Sequence, residues 1–153
     1  MTSGAFAVIQ GRMYTALFCS AFLAATLLPA QSELSLAALV ATRPDALWPL
    51  FAVATVGNTL GSAVNWLLGR FCMRFANRKW FPVSRASLDK AEAWYRRHGR
   101  WSLLLSWAPV IGDPLTTAAG LLREPFCSFI VLVALAKAAR YAVVVALALG
   151  IAA

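Results

Sequence analysis

The chain has 153 residues, of which 61% are hydrophobic and 13% charged, with a formal net charge of +8. Soluble domains carry about 25% charged residues, so this composition excludes an ordinary water-soluble fold and points to a single integral membrane domain over residues 1–153. Nine of the fourteen Lys and Arg residues fall between Arg70 and Arg100, opposed only by Asp89 and Glu92. Such clusters beside apolar spans mark the cytoplasmic face, and without a nucleic-acid motif this one does not read as a nucleic-acid surface.

In chain order, Arg12 is followed by an uncharged run from Met13 to Ser32. That outline resembles a cleaved signal peptide, but Leu28 would stand at the third position before a cut after Ala30, where a small residue is wanted. The run reads instead as a membrane arm from about Tyr14 to Leu28, broken at Pro29 and followed by Glu33. A second arm, Leu34 to Thr42, has nine residues. At 1.5 Å per residue it is too short to cross a core of about 30 Å, so it reads as the returning half of a re-entrant hairpin. Pro44 and Pro49 punctuate a turn at the surface, with Trp48 at interface depth.

Leu47 to Gly69 gives 23 residues without a formal charge and is the clearest spanning helix. Gly57, Gly61, Asn65 and Gly69 recur every fourth position, a groove for close helix packing. Asn58 beside it is a candidate pore-lining amide, and Arg70 ends the span on the cytoplasmic side. Within residues 71–100, Ser84 or Ser87 is a candidate N-cap and Gly99 a C-terminal stop. Leu88, Ala91, Trp94 and Tyr95 fall on one helical face, which fits either a short amphipathic helix on the inner leaflet or a solvated loop that fixes orientation. The single histidine, His98, reads as a solvated helix-end residue.

Trp101 to Gly112 and Leu115 to Leu122 are uncharged stretches of twelve and eight residues, again too short to span. They flank Asp113-Pro114. Pro109, Gly112, Asp113, Pro114 and Gly120 in an apolar setting are costly in a plain spanning helix, because proline loses a hydrogen bond and a carboxylate in hydrocarbon is unfavourable. Irregular backbone at that depth survives only when enclosed, so this stretch reads as the tip of a second re-entrant hairpin. Arg123-Glu124-Pro125 turns the chain back. Phe126 to Gly150 is the second full span, with Ala134, Ala138, Ala142, Ala146 and Gly150 every fourth residue. Lys137 and Arg140, three apart, share a side, and Glu33 and Asp113 are their natural partners. Cys19, Cys72 and Cys127 lack metal-ligand spacing, and neither a metal nor a cofactor is expected.

The halves share a plan. Pro29 precedes Glu33 by four residues as Pro109 precedes Asp113, a basic-proline turn follows each hairpin, and a long span follows each turn. Repeat one covers about residues 14–70, the basic linker 71–100, and repeat two 101–150. To place Arg70 and the linker in the cytoplasm the two must be inverted, and inverted repeats with broken helices at the midplane are a transporter arrangement.

Leu27-Leu28-Pro29-Ala30-Gln31-Ser32-Glu33 resembles the first re-entrant loop of the DedA family of membrane proteins, also called VTT or SNARE-associated domain proteins. Gly57-Asn58-Thr59-Leu60-Gly61 through Leu68-Gly69-Arg70 resembles that family's glycine-rich helix. Trp107-Ala108-Pro109 with Gly112-Asp113-Pro114 and Ala119-Gly120 is similar to its short YqaA-type branch. The resemblance implies two facing re-entrant hairpins, a bacterial inner-membrane location, and proton-linked transport of polyprenyl phosphate, phospholipid or a small solute. Glu33 matches the family's first-hairpin acid. Asn58 stands where the family has an aspartate, and Ser106 with Gly112-Asp113 lies where it has two arginines.

The expected function is therefore translocation of a lipid or small polar cargo, with Glu33, Asp113, Lys137, Arg140 and Asn58 as transport or binding residues. Pro29, Pro109, Gly112 and Pro114 shape the hairpins. Membrane lipids and protons are the expected partners, and the small-residue faces are compatible with a homodimer. The alternative is a structural or partner-binding membrane protein. Enzyme activity is not expected, since there is no Cys/His pairing and no G-x-S-x-G elbow.

Overall fold

The computed structural model describes residues 3–24, 31–71, 83–108 and 111–152, and no strand occurs among them. Six α-helices follow in order: α1 (Ser3–Ala24), α2 (Gln31–Thr42), α3 (Leu47–Phe71), α4 (Arg85–His98), α5 (Gly112–Leu121) and α6 (Phe126–Ala152). A 3₁₀ turn (Pro44–Ala46) precedes α3, and a nine-residue 3₁₀ segment (Gly99–Trp107) joins α4 to the tip before α5. Two of the helices are long and apolar enough to cross a membrane, within Pro44–Phe71 and Phe126–Gly150. At 1.5 Å per residue, α2 and α5 reach only about 18 and 15 Å.

Several boundaries differ from the sequence expectation for identifiable reasons. The first arm starts at Ser3 rather than near Tyr14, because Arg12 sits on an exposed face and the helix runs through it. Its far end, residues 25–30 with Pro29, lies outside the described residues. The arm expected from Trp101 is mostly 3₁₀, a geometry that rarely exceeds three or four residues. Pro114 does not break the chain at the tip. It occupies the first turn of α5, where the missing N–H would have no intrahelical partner anyway.

Two of the three apolar clusters among the described residues hold the long helices. One gathers Leu17 and Ala21 of α1, Leu36 and Val40 of α2, Leu50 and Ala54 of α3, and Tyr141 and Val145 of α6. The other gathers Ala63 and Trp66 of α3, Leu103, Ala119, and Phe129, Leu132 and Val133 of α6, with Tyr95 of α4. Along α3 and α6 the clusters occupy opposite ends. Between them lie Asn58, Thr59 and Ser62 on one helix and Lys137 and Arg140 on the other.

The glycine row of α3 serves two neighbours. A Cβ on Gly57 would meet the Phe18 carbonyl and Ala21 of α1, and one on Gly69 would collide with the Thr117 carbonyl of α5. Gly120 stands in the same relation to the Trp66 carbonyl. The helices cross with backbone near backbone, which only small residues allow. The corresponding row on α6 behaves differently. Ala142, Ala146 and Gly150 face outward, and nothing lies within 4 Å of a Cβ placed on Gly150. Val131, Leu135, Val143 and Leu147 are exposed beside them, an apolar surface suited to lipid rather than water.

Within the linker, Arg85–His98 form a helix. Ser84 caps α4 by accepting the Ser87 N–H at 3.2 Å, and Gly99 ends it at φ 64°, a left-handed conformation open to glycine. Its apolar face packs on α5, an arrangement that neither the leaflet-lying helix nor the solvated loop describes. Leu88 and Ala91 pack against Leu115 and Ala118 of α5, and Tyr95 donates to the Glu124 carboxylate at 2.7 Å. Trp94 points away from that face and stacks on His98, ring centroids 4.1 Å apart. The turn from α5 to α6 is a Schellman cap: the Glu124 N–H donates to Ala119 O and the Arg123 N–H to Gly120 O. Arg123 takes the left-handed position at φ 60°.

Gly69→Ala and Gly120→Ala each force helices apart and lower stability by about 1–3 kcal/mol, read as a drop in the thermal midpoint of detergent-solubilised protein. Gly150→Ala leaves it unchanged or slightly higher; a drop there equal to that at Gly69 would contradict this packing. Burial, with the Glu124 hydrogen bond and charge adding to it and Arg100 opposing, raises the Tyr95 phenol above its ordinary pKa. The stabilisation it gives is therefore complete below pH ~10, the unfolded value, and is lost as pH rises beyond it. Tyr95→Phe costs about 1–2 kcal/mol at neutral pH and flattens that alkaline loss in a pH series of unfolding midpoints.

Candidate functional site

Glu33 and Asp113 both occupy the first turn of a half-length helix, α2 and α5 respectively. The backbone dipole there favours negative charge. Both acids are brought toward the middle of α6, where Lys137 and Arg140 sit three residues apart.

Arg140 makes the central contact. Its Nη2 pairs with Glu33 Oε1, and its Nη1 donates to the Trp107 carbonyl at 2.9 Å. One guanidinium thus ties the first turn of α2 to the last residue of the 3₁₀ segment. The fork geometry of arginine permits this; a lysine presents a single point of charge. Lys137 is 3% exposed. Asp113 and Glu33 act on it electrostatically, but among the described residues its amine has no hydrogen bond or close ion pair. A cation buried at that level needs compensating charge, and Asp113 is the foremost source.

Beside the charges runs a chain of neutral hydrogen bonds. Asn58 Nδ2 donates to Tyr141 Oη at 2.8 Å, and Tyr141 Oη donates to Ser32 Oγ at 3.0 Å. It links α3, α6 and α2 in parallel with the Glu33–Arg140 pair. Asn58 Oδ1, Ser62 Oγ and Ser106 Oγ are buried without a hydrogen-bond partner among the described residues. The tip itself is tight: a Cβ on Gly112 would collide with the Ser106 carbonyl, and the Gly112 N–H donates to Ala108 O at 2.8 Å. The Asp113 carbonyl accepts from the Thr116 and Thr117 hydroxyls, both at 2.9 Å.

The structure therefore brings Glu33, Asp113, Lys137 and Arg140 around one stretch of α6 and joins Asn58 to them through Tyr141. Gly112 and Pro114 sit at the tip as described above, while Pro29 and Pro109 lie outside the described residues. Sequence reasoning missed Ser32 and Tyr141. Tyr141 carried a usable signal, being four residues after Lys137 and so on the same face. The Trp107 carbonyl carried none, because a backbone acceptor leaves no mark in the sequence. Among the described residues no group of three or more His, Cys, Asp or Glu side chains is placed to hold a metal ion. Cys19 and Cys127 are free thiols on the outer surface of the protein.

Most of the chain is similar to known proteins. The VTT domain family matches residues 28–149, which include both acids, both cations and Asn58. The inner membrane protein YqaA of Escherichia coli is 42% identical over 132 residues, covering 85% of this chain and 87% of that protein. A Haemophilus influenzae protein is 35% identical over 133 residues, covering 82% and 80%. The undecaprenyl phosphate transporter A of Staphylococcus aureus is 25% identical over 115 residues, covering 69% and 57%. No solved structure matches. The chain thus belongs to the VTT domain family, in its YqaA-type DedA branch, and is a bacterial inner-membrane protein.

Proposed function

We propose that this protein translocates an anionic lipid-linked cargo, of the polyprenyl phosphate or phospholipid class, across the inner membrane, using the Lys137–Arg140 pair as its anion site. The carrying observation is the buried Lys137 side chain, whose amine has no hydrogen bond or close ion pair among the described residues and feels Asp113 only through space. Arg140 beside it is already engaged by Glu33 and Trp107. In this reading α1 with α2, and the 3₁₀ segment with α5, are two re-entrant hairpins of inverted repeats that meet at the midplane. α4 then lies on the cytoplasmic side. The short lengths of α2 and α5 and the placement of their N-termini beside the middle of α6 support that topology. Similarity to the undecaprenyl phosphate transporter A of Staphylococcus aureus supports the cargo class.

The charge count suggests how coupling works. Glu33 and Asp113 balance Lys137 and Arg140, so the cluster is neutral when all four are charged. A phosphate entering beside Lys137 adds negative charge, and a proton taken up by Asp113 restores the balance and releases the amine to the phosphate. Loss of that proton on the other side returns the acid to Lys137 and expels the anion. The helix N-termini of α2 and α5 contribute partial positive charge at the same point. No covalent step is required, and the protein acts as a transporter rather than an enzyme.

The Arg140 clamp also supports a second reading, in which the four charges only fix the fold. Vesicles reconstituted with the full chain and a labelled polyprenyl phosphate or anionic phospholipid separate the two. Transport predicts faster transbilayer movement than in empty vesicles, and a fall of about tenfold or more in Lys137→Met, equivalent to ~1.4 kcal/mol. The exchange of Asp113→Lys with Lys137→Asp preserves the pair's attraction, so it keeps the fold yet loses movement. No acceleration by the native chain with any of several lipids, or full activity in the exchanged protein, would overturn the transport reading.

A further inference from the structure

A groove of about 380 Å³ opens between α4 and the second tip, with Ser87, Lys90, Trp94, Leu105, Ile111 and Pro114 among its lining residues. It shares no residue with the charged cluster on α6. Its volume is at the small end of the about 300–1,000 Å³ typical of ligand pockets. The wall is apolar along Leu105, Ile111 and Pro114 and polar only at the α4 edge, through Ser87 and Lys90. That division matches an amphiphile with an acyl chain and an anionic head.

We propose that this groove holds an anionic phospholipid of the adjoining leaflet, its phosphate at Lys90 and Ser87 and one chain along Leu105 and Ile111. Charge selects the head. Both carboxylates of α4 are taken: Arg96 holds Glu92 at 2.8 Å, and Arg85 lies 3.9 Å from Asp89. Lys90 is exposed and has no ion pair among the described residues, so its charge is available to a phosphate. Ser87 Oγ accepts from Ser84 Oγ at 2.9 Å, which leaves the Ser87 hydroxyl hydrogen to donate. The chain is selected by the surroundings. Trp94 is 44% exposed and Ile111 49%, and Trp101 and Leu104 of the adjoining 3₁₀ segment are exposed as well. A band of exposed indoles beside a basic helix belongs at the headgroup boundary, where tryptophan is enriched and lysine attracts anionic lipid. The site stands whether or not the α6 cluster transports anything.

The test uses the full chain in phosphatidylcholine vesicles containing a minority of bromine-labelled phosphatidylglycerol, or the same fraction of bromine-labelled phosphatidylcholine. Quenching of Trp94 is read as the difference between the native chain and Trp94→Phe. The anionic label is expected to be enriched about fivefold at Trp94 over the zwitterionic one, the effect of one lysine near the surface. Lys90→Glu and Lys90→Gln, at an exposed position, remove the preference while leaving helix content unchanged. Equal quenching by both lipids in the native chain would overturn the proposal. So would a preference that survives both substitutions, or one abolished by soluble glycerol phosphate, which would indicate an anion site without a chain.

Discussion

An arginine in the middle of an apolar helix dictates much of this architecture. Arg140 cannot be left unmatched where water is scarce, since an unpaired buried charge is among the most costly defects a fold can carry. Among the described residues it is matched by the Glu33 carboxylate and by the Trp107 carbonyl. One partner belongs to the first half of the chain and the other to the second. Meeting both requires the first turn of α2 and the end of the 3₁₀ segment to reach the same level of α6. The polar belt of α3 and α6 is then closed at either end by an apolar cluster.

The close crossings of α3 follow from the same requirement. Gly57 admits α1 and Gly69 admits α5, so one helix is gripped by an element from each half of the chain. The Schellman turn at Arg123 and the Tyr95–Glu124 hydrogen bond then fasten α4 beside α5. A charged helix is thereby fixed next to an apolar tip, and the boundary between them forms a groove with one basic edge. Transport and lipid recognition, as proposed, occupy different surfaces of a single scaffold.

Much of this was legible in the residues. The two long helices, the turn at 123–125, a serine cap at 84 or 87 and the pairing of an α6 cation with Glu33 all follow from charge, spacing and capping chemistry. Other features were not. Periodicity identifies the apolar face of α4 but not what covers it, so the choice between a leaflet and α5 had to come from tertiary contacts. Helical spacing places Trp94 on one face with Leu88, Ala91 and Tyr95, yet those three fill the contact with the bundle and leave Trp94 outside. Arg12 looked like a boundary because a charge in an apolar run suggests one, but an exposed arginine does not interrupt a helix. Tyr141 was hidden as one more aromatic in an apolar run, although its hydroxyl joins three helices.

Depth is the property on which the charged cluster depends, and Leu34 reports it directly. That side chain is 71% exposed from the protein and follows Glu33, so it faces lipid if the first turn of α2 lies inside the bilayer and water if it does not. In a chain whose three cysteines are replaced by serine, Leu34→Cys and Leu135→Cys would be compared with Ser84→Cys using a membrane-impermeant maleimide on intact and inverted vesicles. Burial of the cluster at membrane depth predicts that the thiols introduced at positions 34 and 135 stay unlabelled from both sides, while the one introduced at position 84 reacts from one. Labelling at position 34 as fast as at position 84 would place Glu33 in bulk water and remove the reason for Arg140 to be where it is.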